Sequence, residues 1–248
     1  MRGPIYRVTA AGRQAWESKD PAVPSDYRFI LWIIDFGGNE HLENLVRQFP
    51  EQRLPECLEE LEQLRLVELV ADARPRASEK RAPVFSVRPG ELQSARDELT
   101  RHGACLAADR LKPQASAKPR AETVILIVED DPDQLALADL RVSMAGYAVR
   151  VATSKAAMLR SLAKEGTPDL LLLDVMLPDG DGFEILSRLR RLRSYSSLPI
   201  VMLTAKKDAD DVARGLRLGA DGYITKPYSK KVLEAVVGRI LHRPPAAT

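Results

Sequence analysis

Apolar residues fall into two regimes along this chain. In the N-terminal half they recur at helical spacing. Phe29, Ile30, Leu31, Trp32, Ile33, Ile34 and Phe36 make the stretch from Asp26 to about Asp35 apolar nearly all round, which predicts a buried central helix capped by Ser25. Leu42, Leu45, Val46 and Phe49 share one face of a second helix over about 40–49, and Leu54, Cys57, Leu58 and Leu61 share one face of a third over about 51–64. Pro50 separates the two, and Pro55 is tolerated because it falls near the start of the third. Ile5–Thr9 is a short strand, after which Thr9 caps a short helix. Leu66–Val70 reads as a strand and Pro83–Val87 as its returning partner, across a polar loop over 72–82. From Pro89 to about Leu111 the helical pattern resumes. Leu92, Leu99 and Leu106 stand seven apart, the spacing of a short coiled-coil seam.

The second regime begins after Lys112–Arg120, a linker by its Pro, Lys and Ala content. Apolar residues now come in short unbroken runs: Val124–Val128, Ala148–Val151, Leu170–Leu173, Pro199–Leu203 and Gly222–Thr225. Unbroken runs mark strands buried on both faces, as in a parallel sheet. Helical patterns fill the intervals, over about 132–145, 154–164, 182–192 and 208–218, with a last helix from Ser229 to about Leu241. Five such units predict an α/β fold, a five-stranded doubly wound parallel sheet with helices on both faces. The chain then divides into a smaller, mainly helical N-terminal domain (1–88), a connecting helix and linker (89–120), the α/β domain (121–244) and a tail (245–248).

Composition narrows the function classes. The chain has 248 residues, 45% hydrophobic, with a net charge of +2 spread evenly between its halves. Neither half has the strongly basic balance common among nucleic-acid binders. No run reaches membrane-spanning length and no signal-peptide layout opens the sequence, so a cytoplasmic protein is expected. The two cysteines, Cys57 and Cys105, lack metal-ligand spacing and read as reduced thiols, at least one of them in a core.

Open parallel sheets place their chemistry at the carboxyl ends of the strands. Here those ends carry Glu129-Asp130-Asp131, Asp174, Thr204-Ala205 and Lys226-Pro227. Acids converging on one rim repel each other, and a hard divalent cation with oxygen ligands relieves this. A lysine and a hydroxyl at the same rim supply donors for a phosphoryl group. Carboxylate, cation, lysine and hydroxyl together describe phosphoryl acceptance on an aspartate.

The set VILIVEDD, DLLLLDVMLPDGDG, PIVMLTA and DGYITKPY, in this order and spacing, resembles the receiver domain of two-component response regulators, a flavodoxin-like fold, over about residues 121–243. The resemblance implies that Asp174 accepts a phosphoryl group from a sensor histidine kinase, a phosphotransfer protein or a small acyl phosphate. It implies Mg2+ held by Asp130, Asp174 and the Met176 backbone carbonyl, and by Glu129 through water. Lys226 and Thr204 would bind phosphoryl oxygens, Tyr223 would switch with Thr204, and the Lys226–Pro227 bond would be cis. Asp131 is expected to be a solvated or helix-capping residue, and Asp179 and Asp181 to be loop acids. Met176 and Lys206 would flank the path of attacking water and slow hydrolysis. The last strand and its flanking helices would form a dimer face, with Arg214, Arg217, Asp221, Lys230 and Lys231 available for cross-subunit pairs. Self-catalysed phosphoryl transfer and slow autodephosphorylation are the only enzymatic activities expected.

The N-terminal half loosely resembles a winged helix in the order of its elements. Its third helix, however, exposes Glu51, Glu56, Glu59, Glu60 and Glu62 against only Arg53 and Arg65. An acidic face is repelled by DNA phosphates. Protein–protein interaction or dimerisation is therefore the favoured output, and the alternative is a DNA-binding transcriptional regulator that uses the basic loop of Arg74, Arg76, Lys80 and Arg81.

Overall fold

The computed structural model describes residues 5–17, 23–37, 53–70, 85, 87, 89–107, 118–205 and 209–241. The predicted second helix, the basic loop with Arg74, Arg76, Lys80 and Arg81, and Lys206 lie outside the described residues. The chain forms two compact units, one of residues 1–79 with 163–165 and one, the larger, of residues 80–162 and 166–248.

In the first unit, β1 (Ile5–Val8) pairs antiparallel with β2 (Val67–Val70), Ile5 opposite Val70 and Val8 opposite Val67. Thr9 accepts the Gly12 N–H at 3.1 Å and so caps α1 (Ala10–Glu17), while its own hydroxyl donates to Arg65 O at 2.7 Å. The central helix α2 (Ser25–Gly37) buries Ile30, Leu31, Trp32, Ile33 and Ile34, as its all-round apolar character requires. Next, α3 (Arg53–Gln63) buries Leu54, Cys57, Leu58 and Leu61 and leaves Glu56, Glu59, Glu60 and Glu62 exposed. Of the returning strand expected at Pro83–Val87, residues 83, 84 and 86 lie outside the described residues. The partner of β2 is β1, whose end is tied by the Thr9 N–H to Leu66 O at 3.0 Å. Phe85 and Val87 are described and are in no strand; Phe85 belongs to the second unit, where its N–H donates to Arg217 O.

The second unit holds α4 (Pro89–His102), β3 (Ala104–Leu106), β4 (Val124–Val128), α5 (Pro132–Met144), β5 (Ala148–Ala152), α6 (Lys155–Glu165), β6 (Leu170–Asp174), a small hairpin of β7 (Met176–Leu177) and β8 (Gly180–Asp181), α7 (Gly182–Arg191), β9 (Ile200–Thr204), α8 (Ala209–Leu218), β10 (Gly222–Thr225) and α9 (Lys230–Leu241). Its main sheet runs β3-β10-β9-β6-β4-β5. The five predicted strands are parallel, as expected, but a sixth, β3, joins the β10 edge antiparallel.

That sixth strand corrects the reading of the connecting segment. Gly103 takes a left-handed φ of 71°, which ends the helix at His102. Leu106 therefore lies in a strand, and a coiled-coil seam through Leu92, Leu99 and Leu106 does not form.

Strand alternation sorts the core into two layers. Ile125, Ile127, Leu170, Leu172, Val201, Leu203 and Ile224 cluster with Leu135, Ala138 and Val142 of α5 and Leu233, Val236, Val237 and Ile240 of α9. Leu126, Val128, Leu171, Leu173, Met202 and Tyr223 alternate with them and are equally buried. Beneath the sheet's amino end Arg190 is buried, donating to Gly219 O at 2.8 Å, Leu198 O at 2.8 Å, Tyr195 O at 3.2 Å and Asp221 Oδ2 at 2.7 Å. Asp221 is thus committed within the chain, and its expected place among cross-subunit pairs is corrected. Cys57 and Cys105 are both free and buried.

Candidate functional site

The three central parallel strands deliver their carboxyl ends to one rim. After β4 the chain presents Glu129, Asp130 and Asp131. Asp131 is the N-cap of α5, accepting the N–H groups of Asp133 at 3.0 Å and Gln134 at 2.9 Å. Those bonds, the Gln134 N–H foremost, hold its carboxyl below the usual range and decide for capping between the two roles expected of it. Glu129 turns inward, 1% exposed, and Asp130 faces solvent. Asp174 ends β6 at 6% exposure, and its Oδ1 accepts the Met176 N–H at 3.1 Å.

Lys226 closes the group. Its ammonium lies 2.6 Å from Asp174 Oδ2 and also contacts Glu129 Oε2. The Lys226 backbone N–H donates to Thr204 O at 2.7 Å, and the Lys226–Pro227 bond is cis, as expected. Thr204 ends β9 one residue past Leu203, which stands opposite Asp174 in the sheet, and it is buried. One carboxylate oxygen each from Glu129, Asp130 and Asp174 fall within 4.8 Å of one another. Three oxygen donors at that spacing fit a hard divalent cation. Burial pushes the Glu129 carboxyl up to about 7; the Lys226 hydrogen bond opposes the rise and the Asp174 charge adds to it.

The shift has a sign that can be measured. The folded, metal-free state holds a proton on Glu129 that the unfolded chain releases near 4.5, so stability falls as pH rises between about 4.5 and 7. A cation displaces that proton. Affinity for a divalent cation is expected to weaken as pH drops through about 7, approaching about tenfold per pH unit well below it. Calorimetric titration across this range checks the slope, and a flat profile contradicts it.

Tyr223 does not face outward. Its side chain is fully buried and its hydroxyl reaches Asp211 O at 3.4 Å. The ring fits because Gly215 of α8 has no side chain: a Cβ there would stand 1.2 Å from the Tyr223 hydroxyl and 3.0 Å from the Phe183 ring. Gly215→Ala is expected to cost about 1–3 kcal/mol by overpacking. Adding Tyr223→Ala should leave Gly215→Ala nearly free of cost, and a full cost in that background, read by denaturant melts, would contradict the contact.

Two acids do more than the sequence indicated. Asp179 accepts the Lys155 N–H at 2.7 Å and the Ala156 N–H at 2.9 Å, pinning the β7–β8 hairpin to the start of α6. Asp181 caps α7 through the Phe183 N–H at 2.7 Å. The only cue in sequence was their place in Pro-Asp-Gly-Asp-Gly, which equally suits solvated turn residues.

The parallel sheet, with a buried aspartate, a lysine and two further acids at one rim, defines a receiver. Residues 125–238 match the family described as response regulator receiver domain, and this part of the chain is a member of it. The chain is 42% identical over 119 residues to transcriptional regulatory protein AfsQ1 of Streptomyces coelicolor, covering 48% of this chain and 51% of that protein. It is 40% identical over 119 residues to the DNA-binding dual master transcriptional regulator RpaA of Synechocystis sp., covering 48% and 49%. The chain thus spans about half the length of these relatives. A crystal structure of a putative response regulator from Chloroflexus aurantiacus aligns over 49% of this chain and 99% of that one, at 36% identity and a TM-score of 0.47. No helix among the described residues is long and apolar enough to cross a membrane.

Proposed function

We propose that this chain is a phosphoacceptor switch in two-component signalling, with Asp174 as the acceptor. The observation that carries the reading is the convergence of Lys226 on Asp174 and Glu129 beside Asp130. A phosphohistidine of a sensor kinase or phosphotransfer protein, or a small acyl phosphate, is the donor. An Asp174 carboxylate oxygen forms the new P–O bond, the donor's P–N or P–O bond breaks, and the leaving group departs with that electron pair. Met176 N–H holds the other carboxylate oxygen and so orients the nucleophile. The Lys226 ammonium neutralises a phosphoryl oxygen, and the Thr204 hydroxyl hydrogen-bonds another. Glu129, Asp130, Asp174 and the Met176 carbonyl would hold Mg2+, which when bound supplies positive charge to the transferring group. No activity beyond this transfer and slow hydrolysis of the acyl phosphate is assigned.

The test is incubation with acetyl phosphate and Mg2+, read by intact mass. One phosphoryl increment is expected, and chelation of divalent metal should suppress it. Met176 stands 65% exposed at the rim and is positioned to shield the acyl phosphate. Met176→Ala should shorten the phosphoryl half-life on the order of threefold, about 0.7 kcal/mol; an unchanged half-life removes that role.

For output, the reading favours protein–protein interaction or dimerisation, because the exposed face of α3 is acidic. The named relatives are transcriptional regulators, which supports the DNA-binding alternative, but their likeness lies within about half of this chain. Capture of fragmented genomic DNA by beryllofluoride-loaded protein separates the two. No enrichment over an Asp174→Asn control is expected. Enrichment lost on neutralising Arg74, Arg76, Lys80 and Arg81 would establish the DNA-binding reading instead.

A further inference from the structure

The segment before the receiver is fastened along β10 on the side away from β9. Gly103 O accepts both the Thr225 N–H at 2.9 Å and the Thr225 hydroxyl at 3.1 Å. Cys105 stands opposite Tyr223 in the ladder, and the Ala107 N–H reaches Asp221 O at 2.9 Å. On α4, Ala95 and Leu99 are buried, and the helix packs against α8 and β10. Before it, the Phe85 N–H is tied to Arg217 O at the end of α8. The fit against β10 is close: a Cβ on Gly222 would come within 2.8 Å of Leu106 Cδ2 and 3.1 Å of Cys105 O.

Beta10 is therefore shared between two partners. Its last residue, Thr225, holds the segment through Gly103. The next residue, Lys226, holds Asp174 and Glu129 with its ammonium and Thr204 O with its backbone. We propose that Pro89–Leu106 is a strap whose grip on β10 is set by the state of Asp174: closed on the free carboxylate and released when Asp174 carries a phosphoryl group. This rests on the phosphoacceptor reading above.

The coupling runs through one peptide unit. A phosphoryl group brings about −1.5 to −2 charges and three oxygens to the place where the Lys226 ammonium now contacts Asp174 and Glu129. The ammonium must re-seat on that group, and the adjoining Thr225 carries the strap's doubly accepted hydrogen bond. The ladder that grips the strap is the shortest in the main sheet. It has three ladder residues, where the three central parallel pairs have four each and the opposite edge pair has five. A short edge strand is the part of a sheet most readily opened. The same segment continues in sequence into the N-terminal unit, so its release changes the tether of that unit.

Cys105 supplies the probe. It is 2% exposed, and burial pushes its thiol up to about 12, so in the closed strap it is shielded and un-ionised. The full chain is treated with acetyl phosphate and Mg2+, phosphoryl incorporation is measured by intact mass, and iodoacetamide alkylation of Cys105 and Cys57 is resolved by peptide mass spectrometry. Cys57, buried in α3 of the other unit, reports any global unfolding. Alkylation of Cys105 at least about tenfold faster in the phosphorylated protein, with Cys57 unchanged, supports the strap. Gly222→Val, which crowds Leu106 and the Cys105 carbonyl, should speed Cys105 alkylation with no phosphoryl donor present. If the protein takes up its phosphoryl group while Cys105 stays as slow as before, the strap is overturned and the phosphoacceptor reading stands. If no phosphoryl group is incorporated, both fall, and the missing mass increment identifies that outcome.

Discussion

Asp174→Asn is expected to abolish phosphoryl incorporation from acetyl phosphate or a kinase donor, leaving no mass increment where the parent chain gains one. Other carboxylates do not substitute. Asp131, Asp179 and Asp181 are each occupied by two, two and one backbone N–H groups at helix starts. Glu129 is 1% exposed, and burial raises its carboxyl to about 7, which makes it a poor nucleophile. Asp130 is exposed and lacks the Met176 N–H that orients Asp174. The amide in place of Asp174 is isosteric, so circular dichroism and melting should change little while transfer is lost. Retained incorporation would mean that the nucleophile is another residue.

Arg190→Ala is expected to be the most damaging substitution away from the rim. The guanidinium side chain is 1% exposed and its partner Asp221 is 10% exposed. Three carbonyls and a carboxylate accept from it, and Asp221 Oδ2 also takes the Ile200 N–H at 2.8 Å. Truncation strands a buried carboxylate, a loss of about 3–5 kcal/mol. For a domain of this size that lowers the melting temperature by roughly 10–20 °C. Arg190→Ala/Asp221→Ala should recover only part of the loss, because the Ile200 N–H and the carbonyls remain unpaired. Melting curves of the two variants test this, and a shift of only a few degrees for Arg190→Ala would show that water or a rearranged loop satisfies the group.

The α/β unit was legible because burial on both faces writes itself into sequence as unbroken apolar runs, and because the residues ending those runs are few and chemically distinct. Asp174, Glu129, Asp130, Thr204 and Lys226 could be placed at one rim from strand order alone. Three features were not legible, each because it depends on tertiary contact. Ala104-Cys105-Leu106 is too short to break a helical pattern, and it becomes a strand only because β10 offers an open edge beside it. Tyr223 lies in a strand expected to be buried on both faces, but the space that admits its ring is made by the missing side chain at Gly215, which no local pattern shows. Asp221 looks like another surface charge until Arg190, distant in sequence, is brought beneath it. In the N-terminal unit, the helical spacing of α2 and α3 was read correctly, whereas the pairing of β2 with β1 was not foreseen, since pairing of short strands is a choice between distant segments of similar composition.

The edge strand β3 also carries a cost in the order of synthesis. Gly103 and Thr225 are 122 residues apart in sequence. At about 5–20 residues per second the strand leaves the ribosome roughly 6–24 s before its partner exists. During that interval β1 and β2 can already close the first unit, while Leu99, Cys105 and Leu106 remain without the surface that will bury them. The receiver therefore completes its sheet by capturing a segment made long before, and a nascent chain arrested between α7 and β10 would present that segment to whatever chaperone or neighbouring chain is at hand.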